Sequence, residues 1–172
     1  GLCDNGVVRH LIYHKTGIMG KLETSIEALA QELGFDLVGF ASADPFLRDE
    51  QAAIQRVRDG LMDGLPWYTE ERVRKATHPE ILLPGAKSII SLAMSYLTGE
   101  PKPNMTHPRG KIARYAWGDD YHSVIKKRLR RFVEALPSRV GKPVGTRIFV
   151  DDGPMNDRAA AERAGVGWFG KN

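Results

Sequence analysis

The chain has 172 residues, 42% of them hydrophobic, enough to bury one core but too short for a second full domain. With 25 Lys and Arg against 21 Asp and Glu and a pI near 9.3, it can meet an anionic partner, yet it falls short of the basic stripe of a dedicated nucleic-acid binder. A single cysteine, Cys3, excludes a disulfide framework and any cysteine-ligated zinc or iron–sulfur site built from these residues.

No apolar run approaches the roughly 20 residues that span a membrane, and the first residues lack a signal-peptide pattern. The expectation is a soluble, cytoplasmic protein. Residues 1–18, GLCDNGVVRHLIYHKTGI, show no apolar period, whereas Met19 leads straight into a helix start. Residues 1–18 therefore read as a non-native or upstream extension, and residues 19–172 as the domain.

In KLETSIEALAQELGF, Thr24 and Glu27 have capping-box spacing, and Ile26, Leu29, Ala30 and Leu33 recur at helical intervals. Gly34 stands where a left-handed residue ends a helix. A strand over 35–41 follows, then a helix marked by Leu47, Ile54, Val57 and Leu61 and stopped by DGLPW. RVRK, Arg72 to Lys75, reads as exposed helix charge unless something anionic docks there. Residues 89–97 are almost continuously apolar, as in a strand covered on both faces.

Residues 98–110, with three prolines and two glycines, predict a loop. GKIARYAWGDDYH then sets Arg114, Tyr115, Trp117, Tyr121 and His122 on a strand, a tight turn and a helix start. An arginine beside aromatic rings suits a large, partly planar, polar-edged ligand, although sheet-edge packing with a surface arginine explains it equally well. His122, near a helix start, reads as a surface or packing histidine. Tyr121, Ile125, Leu129, Phe132 and Leu136 mark one face of the next helix, and Lys126, Lys127, Arg130 and Arg131 its solvated face. TRIFVD alternates as a strand, and Asn156 can cap a helix through Ala164 that Gly165 ends. Together these elements predict an α+β fold, helices flanking a mixed sheet.

Asp151 falls where the apolar TRIFVD segment meets a loop. Partial desolvation there would raise its pKa and equip it as a general acid. Alternatively, Asp151 or Asp152 only organises the turn. GVGWFG follows a helix, whereas a dinucleotide fingerprint follows a strand and opens a helix. Neither a phosphate-loop lysine pattern, a Ser-His-Asp spacing nor a paired-His zinc motif occurs.

PGAKSIISLAMSY, GKIARYAWGDDYHSVIKKRLRRF and RIFVDDGPMNDRAAAERAGVGWFGKN resemble the N-terminal, cobalamin-binding half of epoxyqueuosine reductases, from about Met19 to Asn172. That resemblance implies a nitroreductase-like α+β domain holding base-off cobalamin. It also implies a C-terminal region with two [4Fe–4S] clusters, whose ligands this chain lacks, and an external electron donor. The partner is tRNA carrying epoxyqueuosine at the anticodon wobble position, where the epoxide is opened and its oxygen leaves as water. By the same resemblance Asp151 matches the proton donor, Arg74 and Arg114 match positions that contact cobalamin, and Arg158 lies in the same motif. Two alternatives remain, a cobalamin-binding or trafficking module without tRNA chemistry and a domain related to reductive dehalogenases. Without its clusters the chain is expected not to turn over alone.

Overall fold

Ile26, Leu29 and Ala30 lie on one face of α1 (Lys21–Glu32), and Phe132 and Leu136 on one face of α5 (Tyr121–Val140); all five are buried together with Phe35. The computed structural model describes residues 20–96, 110 and 112–170. Between α1 and α5 in the chain come β1 (Leu37–Ser42), α2 (Leu47–Arg58), α3 (Glu70–Thr77), the single turn α4 (Pro79–Leu82), β2 (Ser88–Ala93) and a 3₁₀ turn (Arg114–Ala116); α6 (Asp157–Arg163) comes last.

The strands form an antiparallel pair in which Val38 faces Leu92 and Phe40 faces Ile90. Alternation sends these four side chains, with Met94, to the face covered by α1 and α5. On the opposite face Ile89 packs with Met155 against buried Phe46, Ala159 and Ala160. The near-continuous apolar run around residue 90 is thus explained, because both faces of the strand are covered.

α6 approaches this second face so closely that only glycine fits at position 39: a Cβ there would lie 2.3 Å from the Ala164 carbonyl oxygen and 2.6 Å from Val166. Arg163 at the end of α6 stacks its guanidinium 3.5 Å from the centre of the Phe46 ring and donates to the carbonyls of Asp44 and Pro45. The helix is therefore tied both to the sheet and to the loop that leaves it.

Several expectations need correction. The sheet among the described residues is a two-stranded antiparallel pair, not a mixed sheet. TRIFVD has no regular structure and joins no ladder among the described residues; its hold on the fold comes from buried Val150 and from Arg147, which donates to the Leu82 carbonyl. The segment around Arg114 is a 3₁₀ turn instead of a strand, closed by Ala116 N–H to Ala113 O and Trp117 N–H to Arg114 O, both 3.0 Å. Thr24 caps nothing: α1 begins at Lys21, and the Thr24 hydroxyl donates back to the Gly20 carbonyl. Gly34 does take the left-handed conformation, φ +80°, and Gly165 does so after α6 at φ +71°. Cys3, the predicted start at Met19 and most of the predicted loop over 98–110 lie outside the described residues. Among the described residues no helix is long and apolar enough to cross a membrane.

If α6 lies on β1 as described, Gly39→Ala costs about 1–3 kcal/mol, because its Cβ meets a backbone oxygen that cannot rotate away. Urea unfolding of the variant measures this. An unchanged midpoint contradicts that packing.

Candidate active site

The turn after Val150 is held from four sides. Asn156 caps α6 by accepting from Ala159 N–H at 3.3 Å, and its own N–H donates to the Ala76 carbonyl at the end of α3, 3.1 Å away. From α3, Arg72 Nη2 donates to the Gly153 carbonyl at 3.0 Å. From α5, Lys126 forms an ion pair with Asp152, and the Tyr121 hydroxyl donates to Asp151 Oδ2 at 3.0 Å. Gly153 is pressed against Phe149, whose ring a Cβ would meet at 2.2 Å. Turn and preceding segment are thus packed as one piece.

Asp151 has φ +52°, the only positive φ outside glycine among the described residues. Aspartate tolerates this left-handed geometry better than most side chains but still prefers other regions. The surrounding bonds therefore maintain a backbone shape that the residue would not choose by itself.

Asp151 opens onto a cleft of about 660 Å³ whose walls include Tyr96, Arg114, Tyr115, Trp117, Tyr121 and Met94. The rings meet edge to face, Tyr96 with Tyr115 at 6.5 Å and Tyr115 with Tyr121 at 6.1 Å. Arg114 lies 6.0 Å from the centre of the Trp117 ring, and the Trp117 indole N–H donates to the Ile112 carbonyl at 2.9 Å. The 3₁₀ turn thereby sets a cation and two aromatic rings on one wall. Flat apolar surfaces with an arginine and a carboxylate suit a large planar ligand with polar edges.

Of the four residues singled out in the sequence, Arg114 and Asp151 share this cleft. Arg74 does not line it: half exposed on α3, it donates to Glu70 at 2.7 Å and lies 3.9 Å from Glu50. Arg158 is exposed on α6 and lies outside the cleft wall as well. Within RVRK it is Arg72, half-buried, that reaches the Asp151 turn. His122 serves the start of α5, its Nδ1 lying 2.8 Å from Asp120 Oδ1, and its ring stacks on Tyr121 at 4.0 Å. That contact, together with the backbone N–H of His122, holds the Asp120 carboxyl below its ordinary range.

The expected desolvation of Asp151 is absent, since its side chain is exposed. Instead the perturbed carboxyl is Asp157, which burial, chiefly, pushes up to about 6; the neighbouring charges of Asp151 and Asp152 add to the rise, and the Asp151 N–H donating to it works against it. Nothing in the local pattern distinguishes a buried first residue of a helix from an exposed one. Tyr121 also responds to Asp151: its phenol is held above the ordinary value, first by donating to the Asp151 carboxylate and then by burial.

Two measurements check these electrostatics. Because Asp157 has a raised folded pKa, the fold holds a proton there that the unfolded chain has released between about pH 4 and about pH 6. Its contribution is most favourable below about pH 4 and declines as pH rises to about 6. Asp157→Asn should therefore gain stability relative to the parent between those limits, and a difference independent of pH contradicts the assignment. In Asp151→Asn, the Tyr121 phenol should titrate at lower pH, as followed by tyrosinate absorbance; no change means the hydrogen bond is not made.

Residues 77–152 match the family model described as Epoxyqueuosine reductase QueG, DUF1730. The epoxyqueuosine reductase of Bacillus cereus is 38% identical over 159 residues, covering 88% of this chain and 40% of that protein. That of Pseudomonas aeruginosa is 38% identical over 155 residues, covering 88% and 42%. Among solved structures, an epoxyqueuosine reductase with an epoxyqueuosine-modified tRNA-Tyr stem loop superposes with TM-score 0.71 at 34% identity, covering 86% of this chain and 39% of that one. The Bacillus subtilis enzyme, solved with its catalytic aspartate loop swung out of the active site, gives 0.66 at 31% identity, covering 86% and 38%. By fold and by sequence the chain is similar to the epoxyqueuosine reductases, and it spans about two-fifths of the length of the curated relatives it matches.

Proposed function

We propose that this chain is the cobalamin-binding, proton-delivering part of an epoxyqueuosine reductase acting in the cytoplasm on tRNA that carries epoxyqueuosine at the wobble position. The observation that carries this reading is the meeting of Arg114 and Asp151 on one aromatic-walled cleft, with the Asp151 carboxyl held by Tyr121. Residues 19–172 then correspond to the family's nitroreductase-like catalytic domain.

The residues present suit cobalamin. The rings of Tyr96, Tyr115 and Trp117 offer flat walls, and Arg114 offers fixed donors to the amide-bearing rim of a macrocycle. Arg74 and Arg158 would meet the cofactor only where it extends beyond this cleft; Arg74 would then have to share itself with Glu50 and Glu70.

Opening the epoxide and removing its oxygen as water takes two electrons and two protons. Bound cobalamin would supply the reducing chemistry, replenished through two [4Fe–4S] clusters from an external electron donor. The chain's own task is the proton. An alkoxide or hydroxide leaves poorly, so a protonated Asp151 facing the epoxide oxygen lowers the barrier by giving up its proton as the C–O bond breaks. Tyr121 aims that carboxyl, and because Asp151 is exposed to solvent it can be reprotonated from water between the two proton transfers and again after product leaves. The loop that swings in the Bacillus subtilis relative is, in this reading, the counterpart of the Asp151 turn.

The test is a titration of the intact protein with cob(II)alamin, following the visible spectrum for the base-off form. A saturable shift is expected, with affinity reduced about tenfold in Arg114→Ala, the effect of losing a charged hydrogen bond. Absence of any shift contradicts the reading.

A further inference from the structure

Arg72 is the one long side chain that reaches the Asp151 turn from α3. Its backbone N–H is committed to the start of that helix, donating to the Thr69 hydroxyl at 3.2 Å, so its guanidinium acts from a fixed base. Nη2 holds the Gly153 carbonyl at 3.0 Å, two residues beyond Asp151. Nη1 is buried and meets no acceptor among the described residues. A buried donor without a partner weakens a fold, and an apolar side chain of similar length would avoid that cost. Stability alone thus does not account for an arginine here.

Geometry does account for it. Asp151 sits at a positive φ that aspartate tolerates but does not prefer. Gly153 lies so close to the Phe149 ring that a Cβ there would meet it at 2.2 Å, which leaves the turn little room to shift on that side. Asn156 N–H to Ala76 O fixes the far end of the turn to the same helix. The Arg72 bond is what fixes the near end to α3.

We propose that Arg72 is a positioning residue that holds the turn carrying Asp151 against α3 and so keeps the Asp151 carboxyl at the cleft. This deepens the reading of Asp151 as proton donor and rests on it for its catalytic meaning, but the structural part is testable without cofactor or tRNA.

The experiment is hydrogen exchange on the intact protein, comparing the parent with Arg72→Met and Arg72→Lys. In Arg72→Met the amides of Asp151, Asp152 and Gly153 should exchange about tenfold faster, while the melting temperature stays within about 3 °C because the unpartnered buried donor is removed together with the bond. Arg72→Lys, which restores a single cationic donor, should return exchange toward the parent. In turnover assays Arg72→Met should lower kcat with little change in KM, since the cleft wall is untouched. Unchanged exchange in Arg72→Met overturns the proposal. So does a loss of melting temperature that accompanies faster exchange throughout the fold, or a failure to fold that Arg72→Lys repairs only globally, because either marks Arg72 as a general structural residue. Altered exchange with unaltered kcat overturns the catalytic part of the proposal, because the anchor then does not govern the Asp151 carboxyl, whose role as acid is read from Asp151→Asn instead.

Discussion

The docking of one short turn, residues 151–156, against α3 and α5 is the constraint on which the site depends. Each partner contributes a different kind of hold: a backbone bond from Asn156 to Ala76, a guanidinium on the Gly153 carbonyl, an ion pair between Lys126 and Asp152, and a phenol on the Asp151 carboxylate. The exposed ion pair contributes little stability by itself. Its use is directional, since it pulls the residue after Asp151 toward α5 while Arg72 pulls Gly153 toward α3. Asp151, just before both, lines the cleft in a left-handed conformation.

The rest of the fold supplies the platform for that turn. α5 is set by its burial with α1 against one face of the two-stranded sheet, which fixes where Tyr121 and Lys126 project. α6 is set by its contact with Gly39 and by Arg163 over Phe46, which fixes where the turn must end. The two hydrophobic clusters on opposite faces of a two-stranded sheet therefore converge on one side chain. Asp157 shows what this convergence costs: the packing that brings α6 to the sheet half-buries a carboxyl beside two others.

Much of this was legible in the sequence because it is locally encoded. Helical spacing marked α1 and α5, Gly34 and Gly165 marked ends that need left-handed backbone, and Asn156 marked a cap that it does form. The apolar run around Ile90 correctly signalled a strand covered on both faces. Where the reading failed, the deciding partner was distant. TRIFVD alternates like a strand but finds no ladder among the described residues, and the segment at Arg114 curls into a 3₁₀ turn closed by its own neighbours. Arg72 and Arg74 are the same residue type two positions apart, and only the packing of α3 decides that the first reaches the turn and the second faces Glu70. Burial at Asp157 and exposure at Asp151 are likewise tertiary properties, which local pattern cannot assign.

If Asp151 delivers a proton to the departing oxygen, as proposed, the comparison that shows it is single-turnover reduction of epoxyqueuosine-bearing tRNA by the intact enzyme and by its Asp151→Asn variant, each with cobalamin bound and prereduced. Asparagine keeps the size but carries no acidic proton, and its neutral amide lacks the charge that strengthens the bond from Tyr121. The account predicts a rate lower by roughly 100-fold to 10,000-fold, the usual worth of a general acid, with the cofactor spectrum unchanged. A variant that reduces the epoxide as fast as the parent would contradict it.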